Sequence, residues 1–114
     1  MPEQAAKHEI IIAKDFTRAP GPRYIIEGDY SGELFRKNFL EPLFIDPSDQ
    51  SKIFIDLDGT IGYGTSFLEE AFGGIVRVTG DYNRCNARFE FKSEEEQRVL
   101  AKIKEYMKDA TKSK

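Results

Sequence analysis

The residues Asp56-Leu57-Asp58-Gly59-Thr60 gather the densest chemistry in the middle of the chain. Two carboxylates one residue apart, at the end of an apolar run, lie on one side of a strand end, where they can share a hard cation. The same carboxylates can instead accept backbone N–H bonds in the loop that follows, a structural role. Downstream stand Gly62-Tyr63-Gly64, the hydroxyls Thr65 and Ser66, and the acids Glu69 and Glu70. The glycine-flanked loop has neither the G-x-x-x-x-G-K-[ST] pattern nor a lysine, so a P-loop is not supported. Tyr63, between two glycines, reads as an exposed contact residue. Ser66 with Glu69 gives the S-x-x-E spacing of a capping box, in which Ser66 is an N-cap worth about 1 kcal/mol. A second group, Arg23, Tyr24, Glu27, Ser31 and Gly32, reads as a further part of a binding surface, with Arg23 free to meet a carboxylate or phosphate. The structural alternative is an Arg23–Glu27 ion pair.

These residues need elements to position them. Short β-branched or alternating apolar runs predict strands over 10–13, 23–27, 53–57 and 87–91. The 23–27 strand is expected to pair antiparallel with the first across the short Arg18-Ala19-Pro20-Gly21-Pro22 turn. The nearly continuous apolar run 53–57 reads as a central strand covered on both faces. Ser31 caps a first helix, which stops or kinks near Glu41 because of Pro42. A second helix opens at Ser66, with Phe67, Leu68, Ala71, Phe72 and Ile75 as its buried stripe and close backbone contact to the sheet compensating for Gly73-Gly74. Residues 80–86 read as a polar loop. A third helix starts from a second capping box, Ser93 with Glu96, and buries Val99, Leu100, Ile103, Tyr106 and Met107. The order β-β-α-β-α-β-α predicts an α/β fold: a mixed four-stranded sheet with about three helices.

Bulk properties narrow the function classes. A chain of 114 residues holds one core, here assigned to 8–110, with a disordered segment at 1–7 and a tail at 111–114. No stretch is apolar enough to span a membrane, and Met1–Lys7 lacks a signal-peptide core, so a cytoplasmic location is expected. Cys85 is the only cysteine and His8 the only histidine, which leaves no internal disulfide and few zinc sites or His-based catalytic pairs; His8 is expected at an exposed strand end. Net charge is −3 and the cations are scattered, which argues against nucleic acid as a partner. No cofactor is implied.

The D-x-D-G-T run resembles the nucleophile motif of haloacid-dehalogenase-type phosphatases. That resemblance implies attack on phosphorus by Asp56, with Asp58 as acid and base and a magnesium ion on both. The rest of the chain departs from that family: the motif lies mid-chain, and neither a lysine-bearing strand nor a second acidic loop is evident.

The longer pattern of buried strand, acidic turn, short loop and hydroxyls resembles the STAS domain of bacterial anti-sigma-factor antagonists. The phrases PGPRYIIEGDYSGELFRKNFLEPLF, IDLDGTIGYGTSFLEEAFGGIVR and FEFKSEEE are similar to a STAS-like bacterial family of unknown function. The resemblance implies a STAS-like fold and a regulatory protein-interaction module. It further implies a histidine-kinase-like ATP-binding protein partner and Ser66, with Thr65 behind it, as phospho-acceptor. Gly64 departs from the antagonist motif, which has an aspartate there. On this reading Asp58, Gly62, Tyr63, Gly64, Glu69, Glu70, Arg23 and Tyr24 form the partner surface. A phosphate on Ser66, with about −1.5 to −2 charges, would be repelled by Glu69 and Glu70. A small magnesium-dependent phosphohydrolase using Asp56 and an unswitched structural subunit are the alternatives.

Overall fold

In a computed structural model, which describes residues 7–111, the frame is a parallel sheet of three strands: β1 (His8–Ile11), β2 (Ile53–Asp56) and β3 (Phe89–Lys92), in the order β1-β2-β3. The assignments of residues 1–6 and 112–114 to a disordered segment and a tail lie outside the described residues. In register, His8, Ile53 and Phe89 form one row and Ile10, Ile55 and Phe91 another. Ile53 and Ile55 are fully buried beneath the helices, whereas Phe54, in a row with Glu9 and Glu90, is only half-buried. The central strand is therefore sealed on one face and not on both.

The helical segments are α1 (Gly32–Phe35), α2 (Thr65–Leu68), α3 (Gly74–Thr79), α4 (Tyr82–Arg88) and α5 (Arg98–Ala110). α1 runs on through a π-helical Arg36–Leu40 and a 3-10 Glu41–Phe44, so the helix changes pitch at Pro42, where an N–H is missing. α2 and α3 are likewise joined through a π-helical Glu69–Gly73. The expected four strands and three helices thus become, among the described residues, three strands and five α-helical segments, and the expected mixed sheet is parallel.

The missing strand has a local cause. Residues Ile25–Glu27 form a 3-10 turn, with the Ile26 side chain 93% exposed. The backbone N–H groups that a sheet would have paired are taken by carboxylates: Ile25 N–H donates to Glu33 at 2.9 Å and Tyr24 N–H to Glu27 at 3.0 Å. β1 stops early because Ile12–Phe16 winds into a π turn, pinned by the Ile11 N–H donating to Asp15 at 2.8 Å. With no hairpin, β1 reaches β2 by the long helical crossover that parallel pairing requires.

The predicted polar loop at 80–86 contains α4. Gly80 ends α3 in the left-handed conformation (φ 67°), donating its N–H to Val76 at 2.8 Å, and Asp81 caps α4 by accepting from Arg84 N–H at 3.0 Å. The adjacent stop and start signals, Gly80-Asp81, carried this helix in the sequence.

Helix packing is close at glycines. A Cβ on Gly32 would lie 2.5 Å from the Phe67 carbonyl oxygen, so α1 and α2 cross where no side chain fits. Gly73-Gly74 packs against Tyr106 of α5 and the Arg36 side chain, rather than against the sheet as expected. Phe35, Phe67 and Phe72 are fully buried, with Phe16, Phe39 and Phe91 packed on them. α5 closes the core with Val99, Ile103 and Met107 buried, while Leu100 and Tyr106 are half-buried. Among the described residues no helix is long and apolar enough to cross a membrane.

Candidate functional site

The candidate residues lie at and behind the carboxyl ends of β2 and β3, and they divide into two groups. In the first, β2 delivers Asp56 beside Lys92 of β3. Asp56 accepts the Asp58 N–H at 3.0 Å, and its other oxygen lies 3.7 Å from Lys92 Nζ. Asp58 accepts from Glu94 N–H at 2.9 Å, Glu95 N–H at 3.0 Å and Lys92 Nζ at 2.9 Å. The Glu95 and Glu94 N–H groups, together with Lys92, hold the Asp58 carboxyl below the usual carboxylate range. The hydrogen bond to Asp58, helped by the Asp56 charge, raises the Lys92 ammonium. Glu95 returns the bond by accepting Gly59 N–H at 2.9 Å. The loops after β2 and β3 are thereby fastened to each other.

Lys92 belongs to no motif; its signal in the sequence is positional, a lysine ending the strand next to the one that ends in Asp56. Ser93 does not cap α5: its hydroxyl donates to the Glu96 carbonyl at 2.8 Å, and the helix begins at Arg98.

Tyr63 is half-buried and not an exposed contact. Its hydroxyl donates to the Leu57 carbonyl at 2.8 Å and its ring lies 5.9 Å from that of Phe67; burial pushes the phenol's pKa up. Gly62 has φ 135°, open to glycine alone without strain, and Gly64 is extended. Because the chain is still extended at Gly64, that residue is the N-cap of α2, with Thr65 and Ser66 first and second in the helix. Ser66 therefore does not form the expected capping box. Both hydroxyl residues are exposed. Thr65 lines a cleft of about 450 Å³ whose floor includes Leu57, Leu68 and Val99 and whose rim carries Glu96, Arg98 and Lys102; Ser66 lies outside it.

The second group is an ion-pair cluster. Glu69 receives Arg77 through two nitrogens, at 2.6 and 3.2 Å, and Arg23 at 2.5 Å. Glu70 receives Arg36 at 2.6 Å and Arg23 at 3.4 Å, and Arg36 also holds Glu41 at 2.8 Å. Burial works against the Glu69 charge, but the hydrogen bonds from Arg77 and Arg23 prevail and keep its carboxyl low. Arg23 therefore pairs across the fold with Glu69 and Glu70, and the local Arg23–Glu27 pair does not form, since Glu27 accepts from the Tyr24 backbone. Tyr24 is exposed, its ring 5.9 Å from the Arg23 guanidinium. Arg36 and Arg77 carry little signal in the sequence: Arg36 is a cation in a helical stripe with Glu33, Phe39 and Leu40, and Arg77 follows the apolar Ile75-Val76.

Of the sequence candidates, then, Asp58, Gly62, Tyr63 and Thr65 meet at the cleft, whereas Arg23, Glu69 and Glu70 meet on the flank of the helix 65–79. Cys85 is buried, which raises its thiol pKa and keeps it away from both groups. His8 opens β1, half-buried.

Comparison with curated proteins and with solved structures returned no match. A family model described as a STAS-like domain of unknown function (DUF4325) matches residues 31–99, from the cap of α1 to the first turn of α5, which is more than half of the chain. The chain belongs to this STAS-like family.

Proposed function

We propose that this protein is a regulatory protein-interaction module whose partner surface is centred on the loop and helix start at 62–70, and that Ser66 is its switch. The observation that carries the reading is the contrast between neighbours. The Asp58 carboxylate is filled by two backbone N–H groups and Lys92, while Thr65 and Ser66 stand exposed and neither caps the helix. The acids look structural and the hydroxyls look available. The partner on this reading is a histidine-kinase-like ATP-binding protein. The Ser66 Oγ attacks the γ-phosphorus of its ATP, an Oγ–P bond forms, the bond to the bridging oxygen breaks as ADP leaves, and the hydroxyl proton passes to a base on the partner. The new charge then weakens a complex tuned to a neutral hydroxyl.

Purification from native cells, with intact-mass measurement and identification of co-purifying chains, tests this. The expected result is an ATP-binding partner and a phosphate on Ser66 in part of the population. An unmodified chain in a stable complex would point to an unswitched structural subunit instead.

One observation favours a second reading: Lys92 reaches both Asp56 and Asp58, as a phosphohydrolase would need. A generic phosphatase assay with and without magnesium, with Asp56→Asn as control, decides it; turnover absent from Asp56→Asn would replace the reading above.

A further inference from the structure

The Arg–Glu cluster sits one helical turn from Ser66. The Glu69 N–H bonds to the carbonyls of both Ser66 and Thr65, so this turn is helical and Ser66 shares a face with Glu69 and Glu70 at spacings of three and four. Three guanidinium groups converge on those two glutamates. Two of them suffice: Arg77 grips Glu69 with two nitrogens, and Arg36 grips Glu70. Arg23 is the third, and both of its described bonds run through Nη1, leaving Nε and Nη2 of its fork for another acceptor. It also stands apart in place and setting. Arg36 is nearly buried, and Arg77, though as exposed as Arg23, is held through two nitrogens and belongs to α3, whereas Arg23 belongs to a loop whose next residues, Tyr24, Ile25 and Ile26, are exposed.

We infer that a phosphate on Ser66 captures Arg23 from Glu69 and Glu70, leaving those glutamates to Arg77 and Arg36, and thereby repositions the loop 23–30 with its exposed Tyr24, Ile25 and Ile26. The inference rests on the switch reading above and supplies its mechanism. It reverses the expectation of simple repulsion by Glu69 and Glu70, because both carboxylates already carry cations. Charge-assisted, two-pronged bonds from arginine to a phosphate dianion are among the stronger hydrogen bonds, so the exchange of partners is favoured.

The test uses the full chain with phosphoserine installed at position 66 during synthesis, so that no kinase is needed. A phosphorus NMR titration reads the second phosphate pKa. Capture by Arg23 lowers it below the ordinary value near 6, by roughly one unit. Repulsion by Glu69 and Glu70 raises it. Arg23→Gln is expected to remove the lowering and Arg23→Lys to restore part of it. Amide exchange over 23–30 should change several-fold on phosphorylation in the wild type and stay unchanged in Arg23→Gln. A phosphate pKa at or above that of free phosphoserine, with the loop unaltered, overturns the inference without recourse to any variant. Weakened partner binding with no loop change would also overturn it while leaving Ser66 as the switch. A loop change with unaltered partner binding would support the relay and sink the switch reading.

Discussion

Two pairs of carboxylates stand close together in this molecule and are neutralised by different means. Asp56 and Asp58 end a strand, and Asp58 is met by the backbone N–H groups of Glu94 and Glu95 and by one lysine. Glu69 and Glu70 lie on a helix and are met by three long arginine side chains. Backbone donors cannot be traded without dismantling the loop that carries them, so the aspartate pair is a fastening. Side-chain donors can be traded, so the glutamate pair can take part in an exchange. The difference puts exchangeable contacts on the helix flank, where the proposed switch needs them, and fixed ones at the strand ends.

The comparison can be broken most severely at Arg36. This buried side chain serves Glu41, the Glu70 carboxylate and the Glu70 carbonyl, the last at 3.1 Å. Arg36→Met leaves a mostly buried Glu70 with only the longer contacts to Arg23 and Arg77, at 3.4 and 3.9 Å, and is expected to cost about 3 kcal/mol in urea unfolding. A loss below about 1 kcal/mol would mean that the cluster is as dispensable as a surface pair.

Asp58→Asn comes next. It keeps one acceptor but loses the charge that Lys92 and two N–H groups address, for an expected loss of about 1–2 kcal/mol. The pH dependence sharpens the point. The folded pKa values of Asp58 and Glu69 are lowered, so their stabilisation is complete above the unfolded carboxylate values near 4 and fades as pH falls through the lower folded values. Asp58→Asn should flatten part of the acid limb below about pH 4. An acid limb identical to that of the wild type would remove Asp58 from the account. Asp49, lowered to about 2 by the Ser51 hydroxyl and N–H, should be among the last carboxylates to titrate on that limb.

Arg23→Gln is expected to cost less than about 1 kcal/mol, because Arg77 and Arg36 remain on the glutamates. Its effect should appear as faster amide exchange over 23–30 with global stability nearly unchanged. A large global loss would show Arg23 to be structural. Ile26→Ser should change stability by no more than about 0.5 kcal/mol, since the side chain is 93% exposed; differential scanning fluorimetry of the two proteins checks it.

Much of this layout was legible in the sequence where local and tertiary signals agree. The strand at 53–57, the Ser31 cap and the α5 stripe formed close to where their patterns placed them, Ser31 accepting the Leu34 N–H at 3.0 Å. The 23–27 run failed because β propensity does not count the carboxylates of Glu27 and Glu33 that satisfy its backbone locally. The Ser66 and Ser93 capping boxes failed because a box requires an extended residue at the serine, and the first helical turn had already begun at Ser66 and was delayed to Arg98 after Ser93. The site was half legible. The motif 56–66 reads as a unit, but Lys92 reaches its aspartates, and Arg36 and Arg77 reach Glu69 and Glu70, from elsewhere in the chain, and single residues carry no periodicity to betray them.

The most direct test of the proposed switch compares, by isothermal titration, the affinity of the wild type and Ser66→Asp for the ATP-binding partner that the proposal requires. The account predicts binding at least about tenfold weaker for Ser66→Asp, or about 1.4 kcal/mol. Equal affinity for the two proteins would contradict a charge switch at Ser66 and leave the unswitched structural subunit as the better description.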